Sequence, residues 1–159
     1  MVLIKRIALL LAASAASLLL LAGCSRSVPK KADLDGTMDA MKQKINSAQM
    51  TDLSEDDLMP NYGIKAADVR QFAACIDSTG TKGDEILLFE GTGNESAERI
   101  AEKLNARLRQ KAIEMKDYLP EEYAMLKKCG VERSGNYVAL IVSPRAGELK
   151  QIYKNAMKQ

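Results

Sequence analysis

The sequence of 159 residues contains no histidine and no tryptophan, and aromatic residues make up only 4% of it. The absence of histidine removes the side chain most often used as a general base near neutral pH and as a metal ligand. It also excludes a Cys–His nucleophile, and no Cys-x-x-Cys motif points to thiol exchange. We therefore assign no catalytic residue, metal site or cofactor, and we expect a protein that is not an enzyme.

The first 23 residues contain no acidic residue, and Lys5 and Arg6 are their only charges. An apolar run over 7–21 follows, and then the tetrapeptide Leu-Ala-Gly-Cys that ends at Cys24. That order is typical of a secretory signal peptide. The tetrapeptide resembles the lipobox of bacterial lipoproteins, which implies diacylglyceryl transfer to Cys24 and cleavage before it. The alternative is an uncleaved membrane helix, and either interpretation places the chain after Cys24 outside the cytoplasm.

Cleavage would remove the formal net charge of +2, because Lys5 and Arg6 account for all of it. A chain that begins at Cys24 is formally neutral, so nucleic acid is not expected as a partner. Residues 24–32 then form a lipidated, basic tether whose cations contact anionic headgroups or remain solvated. Residues 33–159 fit one ordinary domain.

Hydrophobic periodicity predicts an α+β fold. Apolar residues at helical spacing predict an N-terminal amphipathic helix over 32–49. The predicted strands are 69–77, 86–90, 131–133 and 137–143, and further helices are predicted from Ser54, over 94–116, over 120–126 and after Pro144. The order hairpin, helix, hairpin, helix looks like a structural duplication. It predicts a mainly antiparallel four-stranded sheet with helices packed mostly on one face.

Cys75 and Cys129 are the only cysteines besides Cys24. An exported location permits a disulfide between them, which would stabilise the domain by about 4 kcal/mol in the chain-entropy estimate. The alternative is two separate buried thiols that act as small apolar residues. The sequence leaves both interpretations open.

Basic residues recur every four positions on two of the predicted helices. Such stripes could bind an anionic envelope polymer, phospholipid headgroups or an acidic partner, although nearby glutamates are also typical of a solvated face. The stripes consist of Arg99, Lys103, Arg107, Lys111, Lys150, Lys154 and Lys158.

The segment Gly91-Thr92-Gly93 follows a predicted strand and opens a predicted helix, like a dinucleotide-binding turn. Its third glycine is missing and the preceding unit is a hairpin, so helix capping is the better interpretation. The adjacent carboxylates Asp84 and Glu85 point to opposite sides of a strand and cannot act on one substrate atom.

Four short motifs occur in order behind the lipobox: Asn-Tyr-Gly-Ile at 61–64, Gly-Asp-Glu-Ile at 83–86, Asp-Tyr-Leu-Pro-Glu at 117–121 and Gly-Asn-Tyr-Val at 135–138. Together they resemble a domain-of-unknown-function family of small lipoproteins common in clostridia and related Gram-positive bacteria. The resemblance extends from about Asp33 to Lys154. It implies a location and a domain extent but no activity, ligand or catalytic residue.

These observations predict a lipoprotein held by acylated Cys24 on the outer face of the cell membrane, or on the periplasmic side or outer membrane in a Gram-negative source. The leading functional hypothesis is a non-enzymatic module that binds an envelope protein or an anionic polymer. One alternative is a small-ligand-binding or accessory subunit of an envelope transporter, and a third hypothesis is an envelope hydrolase. The sequence does not define the oligomeric state.

Overall fold

The computed structural model describes residues 31–158. The predicted signal peptide, Cys24 and most of the predicted tether lie outside the described residues. Among residues 31–158, no helix combines the length and the apolar character that crossing a bilayer would require.

Five α-helices and five β-strands make up the described chain. In chain order they are α1 (Leu34–Lys42), β1 (Met50–Asp52), α2 (Glu55–Tyr62), β2 (Val69–Asp77), β3 (Glu85–Gly91), α3 (Asn94–Met115), α4 (Pro120–Leu126), β4 (Val131–Ser134), β5 (Tyr137–Val142) and α5 (Ala146–Ala156). Short 3-10 turns at Ser47–Gln49 and Ala66–Asp68 precede β1 and β2.

The strands form a single sheet in the order β1-β2-β3-β5-β4, and every neighbouring pair is antiparallel. The predicted α+β class is confirmed, and both predicted hairpins are present. The predicted count of four strands is wrong, because β1 adds a fifth strand at the edge of β2.

The predicted N-terminal helix over 32–49 is too long. Helix α1 ends at Lys42, and β1 then pairs Met50 with Asp77. The buried stripe of α1 includes Met38 and Met41, whereas Ala48, predicted on the same stripe, is exposed. Since Ala48 gains no burial, nothing extends α1 through this segment, and the chain instead passes through the 3-10 turn Ser47–Gln49 to β1, which pairs with the open edge of β2.

Helices cover both faces of the sheet: α2, α3 and α4 pack on one face, as predicted for most of the helices, and α1 and α5 pack on the other. All seven residues of β3 are buried. Leu87 and Phe89 pack in the cluster that includes residues of α2, α3 and α4. Ile86 and Leu88 pack in a second cluster with residues of α1 and α5. Strands that are apolar on both sides require cover on both sides. Because α3 and α5 lie on opposite faces, the two hairpin–helix units are not copies of each other.

Gly91, at the end of β3, marks a close approach between the sheet and α3. A Cβ atom at Gly91 would lie 2.6 Å from the backbone nitrogen of Ala97 and 2.9 Å from its Cα. Gly93 is the N-cap of α3, and its N–H donates to Ser96 Oγ over 2.8 Å. The turn therefore serves packing and capping, as the capping interpretation predicted.

We predict that Gly91→Ala destabilises the domain by about 1–3 kcal/mol, because the new methyl group would collide with backbone atoms that cannot move aside. Gly130→Ala is the matched control, since nothing lies within 4 Å of a Cβ there and its φ is not positive. It should change stability by less than about 0.5 kcal/mol. Urea unfolding followed by circular dichroism would measure both. Equal losses for the two variants would contradict the close-approach interpretation.

Candidate functional site

Glu85 lies at the centre of a buried ion cluster between β3 and α3. It is 0% exposed. Its Oε1 accepts hydrogen bonds from Tyr62 Oη over 2.7 Å and from Arg107 Nε over 3.2 Å. Its Oε2 accepts from Lys111 Nζ over 3.1 Å. Burial, followed by the neighbouring Glu85 carboxylate, raises the pKa of Tyr62 well above its ordinary value. All three partners donate to Glu85, so the cluster holds α3 and α2 against the sheet.

Sequence reasoning missed this cluster although a signal was present. Arg107 lies three residues after the buried Leu104, and Lys111 follows four residues later. Both positions therefore continue the buried stripe of α3. Glu85 shares its side of β3 with Leu87 and Phe89, which also predicts burial. Two cations and one carboxylate on facing buried stripes indicate an internal ion cluster.

The seven predicted basic residues do not form one continuous basic surface. Arg107 and Lys111 bind Glu85, and Arg99 donates through Nε to Asp68 Oδ2 over 3.2 Å. Lys103 lies beside Gly63, and Lys158 is exposed.

On α5, Lys150 and Lys154 approach Glu132 at 3.1 and 3.3 Å. Although burial opposes the effect, hydrogen bonds from these two lysines lower the pKa of Glu132. Five of the seven basic residues are thus paired with three carboxylates, Glu85, Asp68 and Glu132. Anion binding by the stripes stays a prediction.

A groove opens at the end of the sheet where β3 begins, and we call it the end groove. It consists of two adjoining cavities of about 270 Å³ and 670 Å³ that share Glu122, Ser143 and Pro144. The smaller cavity extends towards Asp77, Asp84 and the segment before β1. The larger lies between α4 and the start of α5. Ligand sites commonly occupy about 300–1,000 Å³, so the end groove has the size of a small-molecule or peptide site.

Carboxylates line the junction of the two cavities. Glu122 Oε2 accepts a hydrogen bond of 2.8 Å from the backbone N–H of Gly83, which fixes α4 against the β2–β3 loop. Burial and then the nearby Glu122 carboxylate raise the pKa of Asp84, while Ser143 and Lys82 oppose the rise. Ser143 is only 3% exposed. The junction therefore combines negative charge with partial desolvation, a combination that attracts a cationic group.

The two cysteines lie apart. Cys75 belongs to the cluster on the α1 and α5 face, where its thiol contacts Met38 Sδ at 3.6 Å. Cys129 packs against the opposite cluster and lines the larger cavity of the end groove. Both are free thiols in the structure, so the disulfide is not formed. Burial raises the pKa of Cys75 to about 11 and also raises the pKa of Cys129.

Within the part of the chain that the structure describes, no three Cys, Asp or Glu side chains are placed so that they could hold a metal ion. The end groove offers ionic and hydrogen-bonding contacts from several side chains, among them Asp84, Glu122, Ser143 and the lysines of its larger cavity.

The fold and the groove define an α+β domain with helices on both faces of a five-stranded antiparallel sheet. The chain belongs to the family described as Domain of unknown function (DUF4358), whose match covers residues 42–143, more than half of the chain. This range begins at the last residue of α1 and ends at Ser143 in the end groove, so it contains the whole sheet. No curated protein and no solved structure shows significant similarity to the chain. Membership of a family of unknown function is confirmed, while the lipobox stays a prediction.

We predict that Glu85→Gln destabilises the domain by about 3 kcal/mol, because it leaves two largely buried cations without a counter-charge. Adding Lys111→Met should restore part of the loss by removing one of those cations. Glu102→Gln, at an exposed position of α3, is the control and should change stability by less than about 0.5 kcal/mol. Urea unfolding of the three variants would measure this. A Glu85→Gln loss no larger than that of the control would contradict the structural role of the cluster.

We also predict that iodoacetamide labels Cys129 in the folded protein and labels Cys75 only after unfolding. Cys75 is buried, whereas Cys129 is partly exposed in the end groove. Because both pKa values are raised, the thiolate fraction is small at neutral pH, and labelling of Cys129 should accelerate as the pH rises past 9. Peptide mapping by mass spectrometry separates the sites. A peptide that joins Cys75 to Cys129 through a disulfide would contradict the structure.

Proposed function

We propose that this protein is an extracytoplasmic lipoprotein, held in the membrane by acylated Cys24, whose folded domain is a non-enzymatic binding module of the cell envelope. The observation that carries the proposal is the placement of the end groove. It lies at the end of the sheet opposite the point where the predicted tether joins the domain.

The N-terminal segment is attached to the sheet near the end of β3. The backbone N–H of Ala32 donates to Tyr137 Oη over 3.1 Å, and its carbonyl oxygen accepts from Gln71 Nε2 over 2.8 Å. Gln71 also donates to Glu90 Oε2 over 2.7 Å, and Lys31 Nζ lies 3.7 Å from the same atom. A tether that arrives from Cys24 would therefore meet the domain at this end.

The end groove lies beside Asp84, immediately before β3 begins. The seven residues of β3 separate it from the tether side by about 20 Å. Anchoring at Cys24 leaves few residues before Ala32, so the bilayer would be near the tether side. The end groove would then be displayed away from the membrane, where an envelope component can reach it.

A small-ligand carrier or accessory subunit of an envelope transporter is the second candidate. The larger cavity favours it, because 670 Å³ lies within the usual volume range of small-ligand sites. The two candidates differ in the partner that remains bound after purification, which is a macromolecule in the first and a small molecule in the second.

We predict that the chain, expressed in a bacterium with a lipoprotein pathway, incorporates labelled palmitate and sediments with membranes. Cys24→Ser should abolish both results, whereas Cys75→Ser should preserve them because Cys75 lies inside the fold. Mass spectrometry should find a chain that begins at acylated Cys24. An unacylated Cys24, or the intact chain of 159 residues in membranes, would contradict the anchor.

Crosslinking on intact cells, followed by purification, tests the binding role. Recovery of one stoichiometric envelope component is expected. A membrane-anchored protein that yields no crosslinked partner but carries a bound small molecule would favour the transporter candidate instead.

A further inference from the structure

The larger cavity of the end groove has space along a surface of small residues. Ala124 on α4 and Ala146 and Gly147 on α5 line it together with Pro144. Small side chains leave room between the two helices, and the shared residues Glu122, Ser143 and Pro144 connect this room with the smaller cavity. The result is an elongated groove that could accept an extended ligand.

Charges of opposite sign lie at the two ends of α4. Glu122 is in its first turn, and Lys128 lies two residues after its last residue, Leu126. Six residues at the helical rise separate them by about 9 Å along the axis. Lys150 lies on the α5 side of the same cavity, and Asp84 lies on the smaller cavity near Glu122. Both cavities carry mixed charge, since Lys82 and Arg145 also line the smaller and Glu121 also lines the larger, but Lys82 bonds Gln49 and Arg145 pairs with Glu148. Asp84 and Glu122 thus form an acidic group, and Lys128 and Lys150 a basic group, within the end groove.

We propose that the end groove binds a short zwitterionic peptide of two or three residues. The peptide's ammonium group contacts Glu122 and Asp84, and its carboxylate contacts Lys128 with further attraction from Lys150. This inference rests on the proposed binding function and deepens it. The termini of an extended peptide of that length are about 7–10 Å apart, similar to the rise of about 9 Å along the helix axis between the backbone positions of Glu122 and Lys128.

The state of the individual groups supports this ligand class. Asp84 is partly desolvated and close to a second carboxylate, so the pKa of its carboxyl group is raised, and a cation bound beside it would stabilise its ionised form. Among the ion pairs of residues 31–158, none involves Lys128, which is exposed at the groove. Ser143, almost fully buried at the junction of the cavities, accepts from the backbone N–H of Arg145 over 3.2 Å and hydrogen-bonds Asp84, so it positions that carboxylate. A peptide with free termini complements the acidic group and the ammonium group of Lys128.

Isothermal titration calorimetry on the full chain in detergent tests the inference, with trialanine, N-acetyl-trialanine and trialanine amide as probes. Trialanine should bind, and blocking either terminus should weaken binding about tenfold, because each block removes one charge-assisted contact. Glu122→Gln should reduce the difference between trialanine and its acetylated form, because only Asp84 then faces the ammonium group. Lys128→Gln should reduce the difference between trialanine and its amide, because only Lys150 then attracts the carboxylate.

Two variants serve as matched controls. Lys127→Gln neutralises the neighbouring lysine, whose ammonium lies over the Tyr123 ring, and Glu114→Gln neutralises an exposed glutamate on α3. Both should bind the three probes as the unchanged chain does. Circular dichroism verifies that every variant is folded, and Gln at 122 keeps an oxygen that can accept from Gly83.

No binding of trialanine, equal affinity for the three probes, or equal effects of target and control variants would overturn the inference. These failures are distinct from failure of the proposed function, which palmitate labelling and cell crosslinking test separately. If a crosslinked envelope protein were lost in Glu122→Gln and Lys128→Gln while trialanine did not bind, the groove would recognise a macromolecule, and the peptide inference would be wrong.

Discussion

The architecture depends on one strand, β3, that is buried along its whole length and carries a carboxylate near each end. Glu85 is 0% exposed and Glu90 is 3% exposed. A buried carboxylate is tolerated only when cations and hydrogen-bond donors compensate for the lost hydration. Because the two residues are five positions apart on a strand, they point to opposite faces, and each face must supply its own partners.

Each carboxylate determines what packs against its face. Glu85 requires Arg107 and Lys111, so α3 can dock only at the rotation and height that bring both cations to β3. Glu90 Oε1 lies 3.1 Å from Arg70 Nη1, and Glu90 Oε2 accepts a hydrogen bond from Gln71 Nε2 over 2.7 Å. Gln71 Nε2 also donates to the backbone carbonyl oxygen of Ala32. The first carboxylate therefore orients the longest helix, whereas the second fixes the start of the domain.

The sequence predicted those elements whose signals are local. Strand β2 was predicted at its observed bounds, and Pro120 marked the start of α4 correctly. The tight turn between β4 and β5 has Gly135 at φ 58°, a left-handed conformation that glycine adopts without steric cost. Strand β1 was missed because three residues are too few for an alternating pattern, and only the edge of β2 makes them a strand.

The candidate site was hidden for a related reason. The groups that line it come from the loop before β3, the first turn of α4, the residue after β5 and the start of α5. The pairing of β3 with β5 places Glu85 opposite Val142. Asp84 and Ser143, the residues that flank this pair, therefore come to the same end of the sheet. No spacing in the sequence reveals such a juxtaposition, since it depends on long-range register.

The same register connects the two ends of the molecule. Glu85 and Glu90 belong to one short rigid strand, so the position of the N-terminal segment and the position of the end groove are not independent. A change in the pairing of β3 by one residue would move both carboxylates to the wrong faces and would also separate Asp84 from Ser143. Compensation of the buried charges thus selects the register that assembles the groove. The ion pairs and hydrogen bonds that compensate for the buried carboxylates of β3 therefore also place the end groove at the end of the sheet remote from Ala32.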